Sequence, residues 1–158
     1  MNEAAPARVC PYSHLGPEPI DPRRLEARVA APERGAVATF AGVVRDNHEG
    51  RRVLSLEYTA YEEMASRVLA AIVDEAVARF GTPGIVVQHR LGPLQVGELS
   101  VVVAAAAAHR KEALAACAWV IDEVKARAPI WKKEFGEEGT FWIEGPGSCA
   151  AAPARAPE

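Results

Sequence analysis

Hydrophobic and polar positions change period from one segment of the chain to the next. Residues 35–44 form a continuous apolar run rich in β-branched side chains, which predicts a buried strand. After the polar segment 45–50, residues 52–60 alternate apolar and polar positions, which is the pattern of a strand with one buried face. Because only a polar turn separates the two strands, the pattern predicts that they form a hairpin.

Three segments have the spacing of helices. Residues 21–31 begin with Asp-Pro, an N-cap followed by the residue favoured at the first helical position. Residues 61–80 place apolar side chains three and four positions apart until the breaker segment 81–84. Residues 109–127 form the second long helix, which ends before Pro129. We therefore expect one short and two long helices.

Shorter extended segments complete the pattern. Apolar runs bounded by turn residues predict further strands at residues 8–13, 85–91, 99–108, 130–135 and 140–144. The resulting order, β-α-β-β-α-β-β-α-β-β, is typical of an α+β fold. The sequence therefore predicts a single α+β domain with a largely antiparallel sheet and two long helices.

Length and composition limit the architecture and the cellular location. The chain has 158 residues, which suits one domain, and we place that domain at residues 9–145. Residues 1–8 and 146–158 are rich in alanine, proline and glycine, so we expect both termini to be disordered. We see no signal peptide and no membrane-spanning run, and the three cysteines form no paired motif, so a cytoplasmic protein is predicted.

Charge and histidine placement argue against several classes of function. The net charge is −3, so nucleic acid is not the expected partner. The four histidines, His14, His48, His89 and His109, are scattered without the spacing of metal ligands. The sequence also lacks a glycine-rich phosphate loop and a nucleophile elbow. We therefore predict no metal and no cofactor, and any anion site must be a local cluster of cations.

The densest group of cations is the segment KARAPIWKK, residues 125–133. Cations at the end of a helix are favoured by the helix dipole, which is a purely structural explanation. However, Lys125 follows Leu114, Ala118 and Ile121 on one line of the predicted helix, so it should extend the apolar stripe. A lysine there can reach water with its ammonium group, or lose its proton and act as a base or nucleophile. The spacing does not decide between these two roles.

Two other positions suit an anion. Arg45 follows a predicted strand at a polar turn, where ligand contacts are common, although an exposed turn arginine is the commoner case. His109 and Arg110 begin the second long helix, where free backbone N–H groups favour an anion. The alternative is that His109 is an ordinary polar residue at a helix start. His89 and Arg90 point to opposite faces of their strand, and we interpret them as mostly structural.

The residues alone indicate a soluble α+β domain whose separated cationic patches suit a phosphate-bearing ligand. Cys117 lies in the middle of a helix among alanines, so we interpret it as a small buried hydrophobe rather than a nucleophile. These observations do not name a reaction.

Five segments resemble those of the MoaE family, the large subunits of molybdopterin synthase. They are FAGVVRDN, LEYTAYEEMA, HRLGPLQVGE, AAAAHR and KARAPIWKKE, in this order and spacing. The resemblance spans residues 35–144, and the third and fifth segments are the most specific. It implies the α/β hammerhead fold of that family and a sulfurtransferase activity in molybdenum cofactor biosynthesis.

The resemblance also implies a substrate and partners. Family members convert cyclic pyranopterin monophosphate into molybdopterin by installing two dithiolene sulfurs. The sulfur arrives as a thiocarboxylate on the C-terminal Gly-Gly of a small ubiquitin-like sulfur-carrier subunit. Two large subunits form a central homodimer with one small subunit at each end, so a heterotetramer is expected.

Roles for individual residues follow from the same resemblance. Lys125 matches the essential lysine of the family and Lys132 its second active-site lysine, so both are predicted to be catalytic. Lys125 is expected to act as a general acid or base, or to take up the acyl group. The full predicted substrate-binding set is Phe40, Val43, Val44, Arg45, His109, Arg110, Lys125, Lys132, Lys133 and Glu134.

The chain departs from the family at two positions. Many relatives have methionine where this chain has Ile121, which is a mild change in pocket shape. Some relatives have arginine where this chain has Pro146, so a phosphate contact from the C-terminal tail does not carry over.

Two other functions are alternatives to the enzyme. A non-catalytic dimeric platform that binds a ubiquitin-like Gly-Gly tail is the main alternative, but a carboxylate clamp needs fewer cations than this chain offers. A generic phosphate-ester enzyme is weaker, because the sequence has no cluster of metal-binding carboxylates and no P-loop.

The predicted helix geometry also bears on the number of subunits in the site. His109 and Lys125 lie 16 residues apart in one predicted helix. At 1.5 Å rise per residue this separation is about 24 Å, which is too far for one small pterin phosphate to bridge. If both residues contact the same substrate, either the helix is broken or His109 comes from a second copy of the chain. No proline or glycine lies between Arg110 and Ala128, which favours the second copy.

Overall fold

The computed structural model describes residues 10–143, which form three helices and nine strands. In chain order these elements are β1 (Tyr12–Gly16), α1 (Pro22–Val29), β2 (Ala36–Val43), β3 (Asn47–His48), β4 (Arg51–Ala60), α2 (Glu62–Phe80), β5 (Ile85–Arg90), β6 (Gly92–Gln95), β7 (Leu99–Ala107), α3 (Arg110–Arg127), β8 (Ile130–Gly136) and β9 (Gly139–Ile143). The termini predicted to be disordered, residues 1–8 and 146–158, lie outside the described residues.

The strands form two sheets. The first sheet has the order β1-β5-β7-β2, in which β1 runs parallel to β5 and the other neighbours are antiparallel. The second sheet has the order β3-β4-β8-β9, and β6 also pairs with β4. All pairings in the second sheet are antiparallel. The prediction of an α+β fold with a largely antiparallel sheet is confirmed.

A signal in the sequence marks one end of each helix. The Asp21 side chain accepts a hydrogen bond from the Arg23 backbone N–H at 3.0 Å, and Pro22 occupies the first position of α1. Helix α2 ends at Gly81, whose φ of 67° is left-handed and suits glycine. Helix α3 ends before Pro129. The three predicted helices are therefore confirmed, with small differences at their ends.

The predicted hairpin between residues 35–44 and 52–60 is wrong. Strand β2 pairs with β7, and β4 pairs with β3, β6 and β8. The cause is a tight turn at Glu49 and Gly50, which have positive φ values of 50° and 80°. Such a turn joins adjacent residues of a hairpin, so the segment 45–50 folds back as β3 and becomes the neighbour of β4. This leaves β2 free to pair with β7.

Two further strand predictions need correction. Residues 92–97, which lie between two predicted strands, contain a further strand, β6. It begins at Gly92 and is followed by Gly97, and these glycines have φ values of 88° and 90°. The first strand, predicted at residues 8–13, is observed at Tyr12–Gly16, where it pairs in parallel with β5. The shift places the apolar Leu15 against the main core cluster.

The core lies on both faces of β7. Val101, Val103, Ala105 and Ala107 face α2 and α3, whereas Val102, Ala104 and Ala106 face α1. The small alanine side chains let the helices approach this strand closely. Because α3 packs along β2 and β7 after following β7 in the chain, its C-terminal end returns to the end of the sheet where β7 begins.

Among residues 10–143, no helix combines the length and the apolar character needed to cross a membrane.

Candidate active site

The antiparallel pairing of β2 and β7 fixes where the predicted cations lie. Val43 at the end of β2 is opposite Leu99 at the start of β7, so Arg45 follows β2 at this end of the sheet. Lys125 lies near the C-terminal end of α3, which returns to the same end. His109, by contrast, follows the far end of β7, where Ala36 is opposite Ala107. The structure thus brings Arg45 and Lys125 to one end and His109 to the other.

A buried imidazole lies beside Lys125. His89 is 6% exposed, and its Nδ1 lies 2.9 Å from the Arg90 carbonyl oxygen. Since a carbonyl only accepts, Nδ1 carries the proton and Nε2 is left as an acceptor. Burial lowers the pKa of His89 to about 4, and the positive charge of Lys125 acts in the same direction. The sequence indicated a structural role for His89, and its proximity to Lys125 was missed.

An aromatic ring connects this imidazole to the second predicted lysine. The edge of Tyr58 meets the His89 ring with a centroid separation of 4.9 Å. Tyr58 on β4 is opposite Lys132 on β8. Tyr58 therefore links His89 to Lys132, and Lys125 lies close enough to His89 for its charge to lower the pKa of that imidazole. We call these four residues the lysine site. Tyr58 was missed from the sequence, where it looked like an ordinary position of an alternating strand.

The helix line predicted that Lys125 extends a buried apolar stripe, and this prediction is wrong. Leu114 is 61% exposed and Ala118 is also exposed, so only Ile121 on that line is buried. The buried face of α3 is offset from that line and includes Val124, the residue before Lys125. The side chain of Lys125 is exposed in the single chain. Its ammonium group forms no hydrogen bond or ion pair with another residue in the range 10–143.

Lys132 contacts a buried carboxylate. Its Nζ lies 3.2 Å from Oε1 of Glu134, which is 4% exposed and also accepts a hydrogen bond from His48. Lys132 and Glu134 are two positions apart on β8, so their side chains lie on one face of the strand. His48 approaches from a separate element and was not among the predicted site residues.

Lys133 faces the other side of β8. Its Nζ lies over the rings of Phe135 and Trp142, at 5.4 and 5.0 Å from their centroids. These contacts are cation–π interactions on the face opposite Lys132. The structure therefore does not bring Lys133 together with the lysine site.

The three predicted apolar contacts differ in exposure. Val44 is buried and packs with Leu56 and Leu94, so within this chain it supports the site rather than lining it. Val43 is 51% exposed at the end of β2 and is free to contact a ligand. Phe40 is partly buried against the main core cluster near α3.

Cations at both ends of the sheet are open to an anion. Arg45 is exposed and has no hydrogen bond or ion pair with another described residue. His109 is the N-cap of α3 without a side-chain cap bond, and Arg110 beside it is exposed. No group of three His, Cys, Asp or Glu side chains within residues 10–143 could hold a metal ion. The exposed side chains of Arg45, His109 and Arg110 are therefore accessible to an anionic ligand.

A match to a protein-family model identifies the family of this chain. The family model described as MoaE protein matches residues 15–127. The chain belongs to the MoaE family. The match includes Arg45, His89, His109 and Lys125, and it ends before Lys132.

Curated relatives agree with this assignment. A molybdopterin synthase catalytic subunit from Pyrococcus abyssi is 45% identical over 129 residues, which cover 82% of this chain and 87% of the relative. The subunit of the same name from Oryza sativa subsp. indica is 51% identical over 125 residues. These residues cover 79% of this chain but 65% of the longer plant relative.

The fold comparison gives the same result. The crystal structure of molybdopterin synthase from Staphylococcus aureus matches with a TM-score of 0.76 and 37% identity, covering 82% of this chain and 95% of that chain. As a MoaE-family member, the chain is assigned to the molybdopterin synthase catalytic subunits, which are sulfurtransferases of molybdenum cofactor biosynthesis.

Proposed function

We propose that this MoaE-family chain transfers sulfur from the C-terminal thiocarboxylate of a small ubiquitin-like subunit to cyclic pyranopterin monophosphate. The product is the dithiolene of molybdopterin. The observation that supports the proposal is the lysine site, in which Lys132 lies opposite Tyr58 and the charge of Lys125 acts on the neutral His89 beside that ring. A thiocarboxylate and a phosphate ester are both anionic, so fixed cations attract them and stabilise charge that develops during transfer.

Each cation has a distinct part in the proposed reaction. Lys125 has no acidic partner among residues 10–143, so its ammonium group is available to the reacting thiocarboxylate as a proton donor or acceptor. Lys132 is restrained by Glu134 at 3.2 Å and supplies a fixed positive charge. Arg45 is suited to the phosphate, because a guanidinium group can bind two oxygens at once.

The sulfur is proposed to come from a partner rather than from the chain itself. The Cys117 thiol is buried and donates a weak hydrogen bond to the Val103 carbonyl oxygen at 3.7 Å. Burial raises the pKa of the Cys117 thiol, which makes it a poor nucleophile at neutral pH. An external carrier with a thiocarboxylate supplies the sulfur without needing this thiol.

The complete site is proposed to form between two copies of the chain. His109 and Arg110 lie at the opposite end of β2 and β7 from Arg45. The eight residues of β2 span about 26 Å at 3.3 Å per residue. In a two-fold dimer, His109 and Arg110 of one copy can approach the lysine site of the other. With one small subunit at each end, this arrangement gives a heterotetramer.

The test is reconstitution with defined variants. The chain is mixed with a thiocarboxylated small subunit and the pterin precursor, and the dithiolene product is measured by mass spectrometry. Lys125→Ala should lower turnover by at least about 100-fold, and Lys132→Ala should also be strongly impaired, because each removes a fixed charge from the reacting groups. Arg67→Ala is the control, since Arg67 is exposed on α2 and pairs only with Glu63.

Near-normal turnover by a well-folded Lys125→Ala protein would contradict the proposal. A second measurement separates an enzyme from a protein that only binds the carrier tail. The pterin precursor alone should raise the melting temperature of the wild-type chain, because a ligand that binds the folded state stabilises it. A pure tail-binding protein would not respond to the precursor.

A further inference from the structure

Glu134 is a buried carboxylate with two different partners. Its Oε1 lies 2.9 Å from Nδ1 of His48 and 3.2 Å from Nζ of Lys132. Its Oε2 lies 3.0 Å from the same His48 nitrogen. Because a carboxylate oxygen accepts, the Nδ1 atom of His48 must carry the proton and donate. One imidazole N–H thus faces both oxygens of the carboxylate that contacts Lys132.

This arrangement restricts the position of Lys132. A lysine side chain is a flexible stem with a compact charge, so it has many conformations unless a partner holds its ammonium group. Glu134 can hold Lys132 only if the carboxylate itself keeps one orientation. The His48 side chain fixes that orientation, and it reaches Glu134 across 86 positions of sequence.

The fold places His48 there for a specific reason. Strand β3 pairs with β4 in the register His48 opposite Arg51, and the tight turn at Glu49 and Gly50 closes the hairpin. In the second sheet, β4 lies between β3 and β8, so His48 is one strand removed from Glu134. The side chain of His48 is 20% exposed, which leaves it at the margin of the site rather than in the space open to substrate.

We propose that His48 is a positioning residue for Lys132 and acts through Glu134. The inference rests on the proposed function, because it takes Lys132 to be a residue of the reaction site. It also assigns Glu134 to positioning, since both of its oxygens are engaged by His48 and one of them by Lys132. His48 touches neither the pterin nor the thiocarboxylate in this assignment.

Two substitutions at the same position test the proposal. His48→Leu replaces the imidazole with an apolar side chain of similar size and so removes the N–H donor. His48→Asn keeps an N–H donor near the place of Nδ1. We expect His48→Leu to lower kcat about tenfold through misplacement of Lys132, with KM for the pterin precursor within about twofold of wild type. His48→Asn should recover most of the lost kcat.

The matched control is His14→Leu. His14 also contacts a carboxylate at 2.9 Å, that of Glu18, but this pair is exposed and lies on β1 and the segment after it. The His14→Leu variant should leave kcat unchanged. Equal losses in His48→Leu and His48→Asn, or a loss confined to KM, would overturn the positioning role.

A double-mutant comparison separates this inference from the proposed function. In the Lys132→Ala background, His48→Leu should cause no further loss, because the group that it positions is absent. Independent, multiplicative losses would overturn the inference. If Lys132→Ala alone has normal activity, the proposed role of Lys132 fails. If Lys132→Ala is impaired but His48→Leu is normal, only the role of His48 fails.

The wild-type protein provides a test that does not depend on any variant folding. Long-range ¹H–¹⁵N spectra of the neutral His48 imidazole should show the proton on Nδ1, facing Glu134. A proton on Nε2 in the neutral ring would leave Nδ1 without a hydrogen to donate, and it would contradict the proposed contact.

Discussion

At the scale of single residues, His89 couples the fold to pH. Burial lowers the pKa of His89 to about 4 from its ordinary value of 6.5, so the folded protein keeps this imidazole neutral when the unfolded chain would protonate it. The unfolded state therefore binds more protons between these two values. The stabilisation is fully present above pH 6.5 and is lost as the pH falls towards 4.

We predict that the free energy of unfolding falls by about 2 kcal/mol between pH 7.5 and pH 5 because of His89, at about 1.4 kcal/mol per pKa unit. Urea denaturation at the two pH values measures this change. The His89→Asn variant cannot titrate at this position, so its stability should change less over the same range. Parallel pH dependences for the wild type and His89→Asn would contradict the prediction.

Lys132 and Glu134 were predicted as site residues from the family resemblance. Their contact has a local basis, because residues two positions apart on a strand share one face. The contact between His48 and Glu134 depends on the order of strands in the second sheet, which no local pattern encodes. The buried stripe expected at Lys125 failed because a small rotation of the helix moves a whole line of residues between core and surface.

At the scale of elements, the alanines of β7 set how closely the helices approach the first sheet. Ala104, Ala105 and Ala106 are completely buried, and the first two face opposite clusters. The alanine positions on both faces of this strand therefore have no room for extra methylene groups. A larger side chain at one of them must displace either α1 or the layer formed by α2 and α3.

We predict that Ala105→Leu destabilises the protein by about 1–3 kcal/mol, because it overpacks the layer between β7 and the long helices. The measurement is the urea midpoint at neutral pH. Ala108→Leu is the matched control, since Ala108 follows the same strand but is exposed. A similar small effect for both variants would show that the packing at Ala105 is looser than the structure implies.

Element types were more predictable than element partners. Helix caps and hydrophobic periods are properties of adjacent residues, and they located the three helices correctly. The pairing of β2 with β7 could not be read in this way, because the apolar run of β2 and the alternation of β4 are compatible with several neighbours. The deciding feature was the turn at Glu49 and Gly50, which gives β4 a closer partner.

At the scale of the whole molecule, the shared-site proposal makes a quantitative prediction. Lys125→Ala protein is mixed with His109→Ala/Arg110→Ala protein under conditions that allow subunit exchange. Each mixed dimer should have one site with both defects and one fully intact site. Random exchange makes half of the dimers mixed, so activity should recover to about a quarter of the wild-type value.

Exchange itself must be demonstrated, for example by native mass spectrometry of chains with different isotope labels. Recovery under these conditions supports a site built from two copies. If exchange is complete and activity stays at the level of the separate mutants, each chain must complete its own site.

The uninterrupted course of α3 from Arg110 to Arg127 has a consequence for how this chain can vary in length. One inserted residue in an α-helix shifts everything beyond it by about 1.5 Å and turns it by roughly 100°. No single insertion can therefore keep both the buried face of α3 and the spacing between its two ends. Insertions should instead be tolerated at the exposed Glu137 and Glu138, where the β8–β9 turn faces solvent.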